Sequence, residues 1–322
     1  MEVLLTGATG FVGGHVAAAL REEGHTVRAL VRPASYKVPA QRRREVDALS
    51  RLGCATVVGD ATEPADLDRA ARGVDAVVNL IGILIERPPI SFDVAHIEVT
   101  ANLVRAAEIA GARRFVQMSG IGASPEAPSR YHQTKAAGEA AVRASKLDWT
   151  IVRPSVIVGA GDGFTNGIVD LVETPLVTPV PGDGRTPLQP VAVRDVARAF
   201  VATLQDDRTV GQTIDLVGPQ TFTFRQVVQI VGAATGNNQP IFPVPKVFLH
   251  AVAYFAEAFA TNPVVTSDQL RMMNGIPIVD HAPLRTFFDW EFTAFEVALQ
   301  ETLAARRAGL RNASLGQDER EE

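Results

Sequence analysis

Two side chains that could move a proton stand four residues apart, at Tyr131 and Lys135. Residues i and i+4 share one face of a helix, so we expect the phenol and the ammonium to point the same way. A nearby ammonium stabilises a tyrosinate, which would lower the pKa of the phenol and let Tyr131 act as a general acid or base. Ser119, twelve residues earlier, could hold a carbonyl or hydroxyl oxygen. The spacing alone favours a surface pair on a helix; it is the position after the expected strand Phe115–Met118 that favours proton-transfer chemistry.

A glycine-rich turn near the N-terminus has the form of a phosphate site. The apolar run Met1–Thr6 leads directly into Gly7-Ala-Thr-Gly10-Phe-Val-Gly13. Gly7 allows a tight turn, Gly10 lets the backbone approach a pyrophosphate, and Gly13 lets the next helix pack closely on the sheet. That helix, from about Phe11 to Glu23, would aim its free N–H groups and its positive dipole end at the phosphates. The turn predicts a dinucleotide site; a glycine turn that binds nothing is the alternative.

Strands and helices alternate through the first half of the chain, which predicts an α/β fold. Apolar strands separated by helices indicate a parallel sheet covered on both faces. The crossover rule makes this a doubly wound (Rossmann) sheet, with the ligand at the carboxyl ends of the strands. The expected strands are Met1–Thr6, Thr26–Val31, Ala55–Val58, Ala76–Ile81, Phe115–Met118 and Thr150–Val158, and the expected helices are Phe11–Glu23, Ala40–Leu52, Asp66–Ala71, Phe92–Ala110 and Tyr131–Ser145.

Glycine and proline become more frequent after Gly159, and the alternation loses its rhythm. The stretch Thr213–Val217 reads as a strand that could rejoin the sheet, between the expected helices Arg194–Leu204 and Phe224–Thr235. We therefore expect a smaller, mostly helical C-terminal lobe. The predicted division is 1–160 plus about 190–217 for the dinucleotide-binding domain, 161–189 plus 218–305 for the substrate lobe, and 306–322 for a polar tail.

Composition excludes several classes of function. The chain is 46% apolar and 21% charged with a net charge of −5, which is typical of a soluble globular protein and disfavours nucleic acid as a partner. The single cysteine, Cys54, excludes a disulfide framework and a Cys-rich metal site, and no metal is expected. No leader and no membrane-spanning run is visible, so a cytoplasmic location is expected. The apolar stretch Val247–Ala260 is predicted to be a buried amphipathic helix, with an interfacial membrane helix as the alternative.

The residues after the second expected strand bear on the choice of cofactor. NAD sites commonly place a carboxylate there for the ribose hydroxyls, but this chain has Arg32. A guanidinium can bind a 2′-phosphate bidentately, with Ser35 as a helper and with Lys37 and Arg43 adding positive potential. NADP(H) is therefore expected in preference to NAD(H), the alternative being that Arg32 is a solvated strand end.

These motifs together resemble the short-chain dehydrogenase/reductase superfamily, in its extended and atypical branch of NAD-dependent epimerase/dehydratase-like proteins. The resemblance assigns Ser119, Tyr131 and Lys135 to the catalytic positions, and Lys135 also to the nicotinamide ribose. It places Asp60 and Ala61 at the adenine. The other cofactor-binding positions that it implies are Gly7, Thr9, Gly10, Phe11, Val12, Gly13, Asn79, Leu80, Ile81, Gly82, Met118, Pro154 and Val156.

A narrower resemblance is to the subfamily related to the nucleotide-binding accessory subunit of respiratory complex I. It rests on the stretches Ala95–Asn102, Met118–Ala123, Ser129–Glu139 and Thr266–Leu270. Ordinary members of the superfamily usually have Asn where this chain has His96. The imidazole could serve a water chain, or it could simply pack at the start of its helix. The subfamily implies association with a respiratory complex, peripheral at the inner membrane face, and the superfamily often forms homodimers.

Substrate is expected over the nicotinamide, between the loops after the sixth strand and the C-terminal lobe. The stretch that begins at Ile83 is largely apolar, which favours a carbonyl or quinone-like substrate. Three functions stay open: an NADP(H)-dependent oxidoreductase, a nucleotide-sugar epimerase or dehydratase, and a non-catalytic NADP(H)-binding protein with structural, sensing or assembly work. The candidate substrate residues are Ile83, Gly120, Phe164, Asn166, Arg185 and Gln189.

Overall fold

A computed structural model describes residues 1–33, 39–173, 177–245, 247–249, 266–273 and 276–309. Ser35, Lys37, most of the predicted helix Val247–Ala260 and residues 310–322 of the predicted tail lie outside these ranges. Within the described part of the chain, no helix has the length and the apolar composition needed to cross a bilayer.

A parallel sheet of seven strands forms the centre of the protein and confirms the predicted fold class. Its strands lie in the order β11-β6-β5-β4-β1-β2-β3, so the chain order reverses between β1 and β4. In doubly wound folds the ligand binds at this reversal, outside the carboxyl ends of the strands. The strands within the described residues are β1 (Glu2–Thr6), β2 (Thr26–Val31), β3 (Ala55–Val58), β4 (Ala76–Asn79), β5 (Arg114–Met118), β6 (Asp148–Pro154), β7 (Ile157–Val158), β8 (Thr178–Pro181), β9 (Pro187–Leu188), β10 (Val191–Ala192), β11 (Gln212–Leu216), β12 (Phe222–Thr223) and β13 (Ile241–Val244).

Helices cover both faces of the sheet, as its apolar strands require. Successive side chains of β1 point to opposite faces, so Leu4 packs in one hydrophobic cluster and Leu5 in the other, and both are fully buried. The α-helices are α1 (Phe11–Glu22), α2 (Pro39–Arg51), α3 (Pro64–Ala71), α4 (Val99–Ala110), α5 (Arg130–Arg143), α6 (Gly163–Glu173), α7 (Val193–Gln205), α8 (Phe224–Thr235), α9 (Ser267–Met272) and α10 (Phe295–Arg307).

A third hydrophobic cluster lies in the C-terminal part of the chain. It joins α6, α8 and α10 to short strands, with Ile168, Val228 and Leu299 among its buried members. The last strand of the large sheet, β11, pairs with β6 and so returns the chain to the nucleotide-binding half, as expected for Thr213–Val217. The exact division into domains stays a prediction.

Among the predicted elements whose ends differ from the structure are the sixth strand and the helix Phe92–Ala110. The sixth strand stops at Pro154, where the Ser155 N–H makes a last bond to the Leu216 carbonyl of β11 at 3.0 Å, and Ile157–Val158 forms a separate strand that pairs with β10. The predicted helix Phe92–Ala110 begins as a π-helix over Asp93–Glu98 before continuing as α4. A π turn is rare and is frequently found at functional sites.

Candidate functional site

The glycine turn joins β1 to α1 and leaves the first N–H groups of that helix without a side-chain cap. Gly7 has a φ of 74°, and the Gly10 N–H closes the turn on the Gly7 carbonyl at 2.9 Å. The first helical hydrogen bond is donated by Gly14 to Gly10, at 3.1 Å. Uncapped N–H groups and the helix dipole together make an anion site. Thr9 and Phe11 are half-buried beside it, and Val12 is buried.

Close packing explains why the turn needs glycine at its end. A Cβ on Gly13 would lie 2.0 Å from the Gly7 oxygen, which is well inside van der Waals contact. A Cβ on Gly7 would lie 3.0 Å from the carbonyl carbon of Leu80. The loop after β4, which includes Ile81, therefore lies directly against the glycine turn at the point where the sheet order reverses.

Asn79 ties together the carboxyl ends of three strands. Its Oδ1 accepts hydrogen bonds from Thr6 Oγ1 at 2.7 Å and from the Ile81 N–H at 3.1 Å, and its Nδ2 donates to Gln117 Oε1 at 2.9 Å. The bond to Ile81 ends β4 two residues earlier than the sequence suggested. The Asn79 amide is therefore engaged by the protein, and it shapes the backbone of Leu80, Ile81 and Gly82.

The side chains of Tyr131 and Lys135 lie against residues at the carboxyl ends of β4 and β5, where the sequence predicts the catalytic site. A Cβ on Gly120 would lie 3.2 Å from Tyr131 Oη, and a Cβ on Gly82 would lie 2.8 Å from Lys135 Nζ. Lys135 Nζ also donates to the Met118 carbonyl at 3.2 Å. The phenol and the ammonium therefore lie against the loops after β5 and β4, and the loop after β4 also contacts the glycine turn.

Burial sets the protonation of both groups. Desolvation raises the pKa of Tyr131 to about 12 and lowers the pKa of Lys135 to about 8, with the charge of Glu139 partly opposing the second shift. The sequence-based expectation that Lys135 lowers the pKa of the phenol is wrong for this arrangement. The ammonium lies 6.0 Å from the centroid of the Tyr131 ring and bonds a carbonyl, so its attraction for a phenolate is weaker than the cost of burying that phenolate.

Ser119 follows β5 with its side chain enclosed. Only 2% of the residue is exposed, and its Oγ has no hydrogen-bond partner among the described residues. Its N–H donates to the Val152 carbonyl at 2.7 Å, which fixes the backbone. Buried hydroxyls are nearly always paired, so an unpaired one beside Gly120 is a candidate partner for a ligand oxygen.

His96 is held by the protein through both ring nitrogens. The Ile83 N–H donates to Nε2 at 3.1 Å, so the proton lies on Nδ1, which is 2.9 Å from Thr134 Oγ1. Burial and the positive charge of Lys135 lower the pKa of His96 to about 2, so the ring is neutral. This arrangement is that of a packed histidine that tethers the Ile83 backbone, and it leaves neither nitrogen for a water chain.

Four of the six candidate substrate residues are engaged elsewhere. Gln189 bonds the backbone of Val279 with both amide atoms, at 2.8 and 2.9 Å. Asn166 Nδ2 donates to the Asp162 carbonyl at 2.7 Å, within α6 and its N-terminal turn. The other two are Phe164, whose ring lies 6.4 Å from that of Phe224 in the C-terminal cluster, and Arg185, which is 85% exposed and 3.3 Å from Asp183.

Gly120 and Ile83 are the two candidate substrate residues that the structure brings to Tyr131 and His96. The amides of Gln189 and Asn166 already bond protein backbone groups, and their contact with substrate stays a prediction. Two further contributors were missed. Thr134 Oγ1 accepts a hydrogen bond from His96 Nδ1, and Gly138 has no side chain because a Cβ would lie 2.3 Å from the His96 carbonyl oxygen. A glycine within a predicted helix is the signal that could have revealed the second.

The residues predicted to contact the adenosine half of a dinucleotide lie just after β2 and β3. The Gly59 N–H donates to the Val31 carbonyl at 3.0 Å, which brings Asp60 and Arg32 to neighbouring strand ends. Arg32 is exposed, and Asp60 Oδ1 accepts from the Thr62 N–H at 2.9 Å. Ala61 is half-buried; of the two residues predicted to lie beside the nicotinamide, Pro154 is buried and Val156 packs against the C-terminal cluster.

Comparison with known proteins defines the class. The family model described as NAD(P)H-binding matches residues 7–207, so the chain belongs to that family and binds a nicotinamide nucleotide. The resemblance to the extended and atypical short-chain dehydrogenases/reductases is confirmed. A solved structure named gox2253 superposes with a TM-score of 0.75 at 25% identity, covering 96% of this chain and 99% of the other.

The narrower resemblance to complex I accessory subunits is also confirmed. The Arabidopsis thaliana protein named NADH dehydrogenase (ubiquinone) 1 alpha subcomplex subunit 9, mitochondrial, is 34% identical over 70% of this chain and 56% of its own length. Ceramide reductase from Caulobacter vibrioides is 36% identical over 55% of this chain and 53% of its own length. The chain thus spans a little over half the length of these two curated relatives.

Proposed function

We propose that the protein is an NADP(H)-dependent reductase of carbonyl or quinone-like compounds. The observation that carries the proposal is the convergence of Tyr131 Oη and Lys135 Nζ on Gly120 and Gly82, beside the glycine turn. The bound nicotinamide would supply a hydride to the carbonyl carbon. Tyr131 would then give its proton to the carbonyl oxygen, while Ser119 Oγ, which has no partner among the described residues, would donate a hydrogen bond to that oxygen.

The protonation state of Tyr131 favours the reductive direction. Since burial holds the pKa of the phenol at about 12, the group is neutral at physiological pH and ready to donate. An alkoxide formed by hydride addition is a stronger base than a phenolate, so the transfer of the proton to it is downhill. Oxidation of an alcohol would need the phenolate as a base, which is scarce at neutral pH.

Turnover of NADPH with a panel of aldehydes, ketones and quinones tests the proposal. Tyr131→Phe should lower kcat by roughly 10²–10⁴-fold, as expected for the loss of a general acid, and leave NADPH affinity unchanged. Ser145→Ala is a matched control, because it removes a hydroxyl just beyond the other end of α5 that bonds only the Val142 carbonyl. Equal turnover by Tyr131→Phe and wild type would exclude the assigned role.

The preference for NADP(H) belongs to the same proposal and rests on Arg32. The guanidinium lies at the end of β2, where a carboxylate would serve NAD. Arg32→Asp should weaken NADPH binding and spare or improve NADH binding. Arg51→Asp makes the same change of charge at the far end of α2 and should alter neither. An unchanged ratio of the two affinities in Arg32→Asp would contradict the assignment.

A cofactor-binding subunit without turnover is the second candidate. The resemblance to complex I accessory subunits favours it. In that role the dinucleotide would stabilise the fold by mass action, and the protein would associate with a respiratory complex at the inner membrane face. Tight NADPH binding, a raised melting temperature and no oxidation with any compound of the panel would support it over the reductase.

A further inference from the structure

A carboxylate from the C-terminal part of the chain contacts the start of the helix that carries Tyr131. Asp268 accepts hydrogen bonds from the backbone N–H groups of Arg130, at 2.8 Å, and of Tyr131, at 3.1 Å. These residues open α5, so their N–H groups have no partner within the helix. A side chain 137 residues further along the chain from Tyr131 therefore caps this helix.

The cap at this helix is divided between two side chains. The hydroxyl of the local N-cap residue, Ser129, accepts from the backbone N–H of His132 at 3.3 Å and also bonds His132 Nδ1 at 2.7 Å. Asp268 takes the two N–H groups that Ser129 leaves, and its negative charge lies at the positive end of the helix dipole. The Arg130 guanidinium is engaged separately, with Asp93 at 2.5 Å. The backbone of the first turn thus depends on Asp268.

Asp268 is presented by a rigid turn. Thr266 Oγ1 accepts from the Gln269 N–H at 3.1 Å, and Gln269 Oε1 accepts from the Thr266 N–H at 2.9 Å, which is a capping box at the start of α9. Thr266 and Leu270 are buried, so this turn is anchored on both sides of the aspartate. The stretch Thr266–Leu270, which contributed to the subfamily resemblance, thereby gains a structural role.

The chain after α9 approaches the opposite side of Tyr131. A Cβ on Gly122 would lie 3.5 Å from Pro277 Cδ, and Gln189 holds Val279 by its backbone. Gly122 belongs to the loop that begins at Gly120, against which the Tyr131 hydroxyl lies. The C-terminal segment therefore contacts both the helix that carries the phenol and the loop that faces it.

We propose that Asp268 is a positioning residue for Tyr131. Its carboxylate fixes the first turn of α5 and so holds the phenol against Gly120, and the site is complete only when residues 266–273 are docked. The kinetic consequence rests on the proposed reductase function; the structural consequence does not. The experiment below separates the two.

The test compares Asp268→Ala and Asp268→Asn with Asp280→Ala in the full chain. Asp280 is a matched control, because its Oδ1 caps the Ala282 N–H at 2.9 Å. Amide hydrogen exchange followed by NMR should be roughly tenfold faster at Arg130 and Tyr131 in Asp268→Ala, as expected for a lost helix cap. Exchange at these two amides should be intermediate in Asp268→Asn, which keeps one acceptor oxygen, and unchanged in Asp280→Ala.

The position of the phenol is read by ¹⁹F NMR of protein labelled with 3-fluorotyrosine. The chain has three tyrosines, so a Tyr131→Phe spectrum assigns the resonance. The Tyr131 resonance should shift or broaden in Asp268→Ala and keep its wild-type position in Asp280→Ala. Once a substrate is identified, kcat of Asp268→Ala should be about tenfold below that of the wild type. Its affinity for NADPH should stay constant, since the glycine turn is unchanged.

An unchanged Tyr131 resonance in Asp268→Ala would overturn the proposal even if the two amides exchange faster, because the cap would then not position the ring. Should Asp268→Ala not fold, Asp268→Asn carries the same readouts. If the wild type oxidises no NADPH with any compound, the reductase assignment fails, whereas the exchange rates and the ¹⁹F resonance still decide the role of Asp268. Wild-type kcat in a variant with a displaced resonance would also contradict a positioning role.

Discussion

Replacement of Gly13 by alanine tests the glycine turn most directly. The new Cβ would lie 2.0 Å from the Gly7 oxygen and 2.7 Å from Ala8 Cα. Both are backbone atoms, so no side-chain rotation can relieve the overlap. To restore ordinary contact at 3.4 Å, the turn and α1 must separate by about 1.4 Å, which is large for a closely packed interior.

The cost of such overpacking is typically about 1–3 kcal/mol. If the displaced turn must return to bind the pyrophosphate, this cost weakens NADPH binding by roughly 5- to 150-fold, at 1.4 kcal/mol for each factor of ten. If the cost falls on folding instead, it lowers the melting temperature. The lost free energy of NADPH binding and the lost free energy of unfolding both come from this overlap, and their sum should equal the cost of overpacking.

Fluorescence titration of NADPH and thermal unfolding measure both parts. Gly14→Ala is the control, because a Cβ on Gly14 meets no atom within 4 Å and the substitution should raise helix stability slightly. Gly13→Ala with wild-type affinity and melting temperature would refute the packing argument. An equal loss of affinity in Gly14→Ala would show that any added methyl group harms the helix.

Three further predictions concern single side chains. Lys135→Met should raise the melting temperature at pH 7 by the equivalent of about 1–3 kcal/mol, because the pKa of Lys135 in the folded chain, about 8 against an ordinary 10.5, makes its charged form costly there; wild-type stability should rise between pH 8 and 10.5, and this rise should be absent in the variant. The His96 ring should stay neutral with its proton on Nδ1 from pH 5 to 8, and a ¹⁵N NMR titration that shows protonation in this range would contradict the tether. Gln189→Ala should lower the melting temperature by the loss of two bonds to Val279, whereas Arg185→Ala, at an exposed ion pair, should not change it.

The sheet could be predicted from sequence because its signals are local. The strands Thr26–Val31 and Ala55–Val58 have the bounds expected from their apolar runs, since glycine or charged residues follow directly. The end of β4 could not be predicted, because it depends on the Asn79 side chain, whose other partners lie on two separate strands. Local periodicity contains no information on such contacts.

The same limit explains which site residues were found. Tyr131 and Lys135 are four residues apart on one helix, and that spacing survives in the fold. Gln189 was expected to contact substrate, but its amide pairs with Val279, 90 residues away. The Asp268 cap was not anticipated for a similar reason, since 137 residues separate it from Tyr131. Chemistry within one element was predictable, and contacts between distant segments were not.

Glycine marks this site in two physically different ways. Gly7 is needed for its backbone angle, with a φ of 74°. Gly82, Gly120 and Gly138 are needed for space, because a Cβ would lie 2.8 Å from Lys135 Nζ, 3.2 Å from Tyr131 Oη and 2.3 Å from the His96 carbonyl, respectively. Each of these three glycines lies where a site residue touches a neighbouring segment. Because these positions have no Cβ, β4, β5, α5 and the π turn can pack closely around the phenol and the ammonium. A glycine outside a turn is thus a sequence signal for close approach, and it would have pointed to the tether of His96 before the structure showed it.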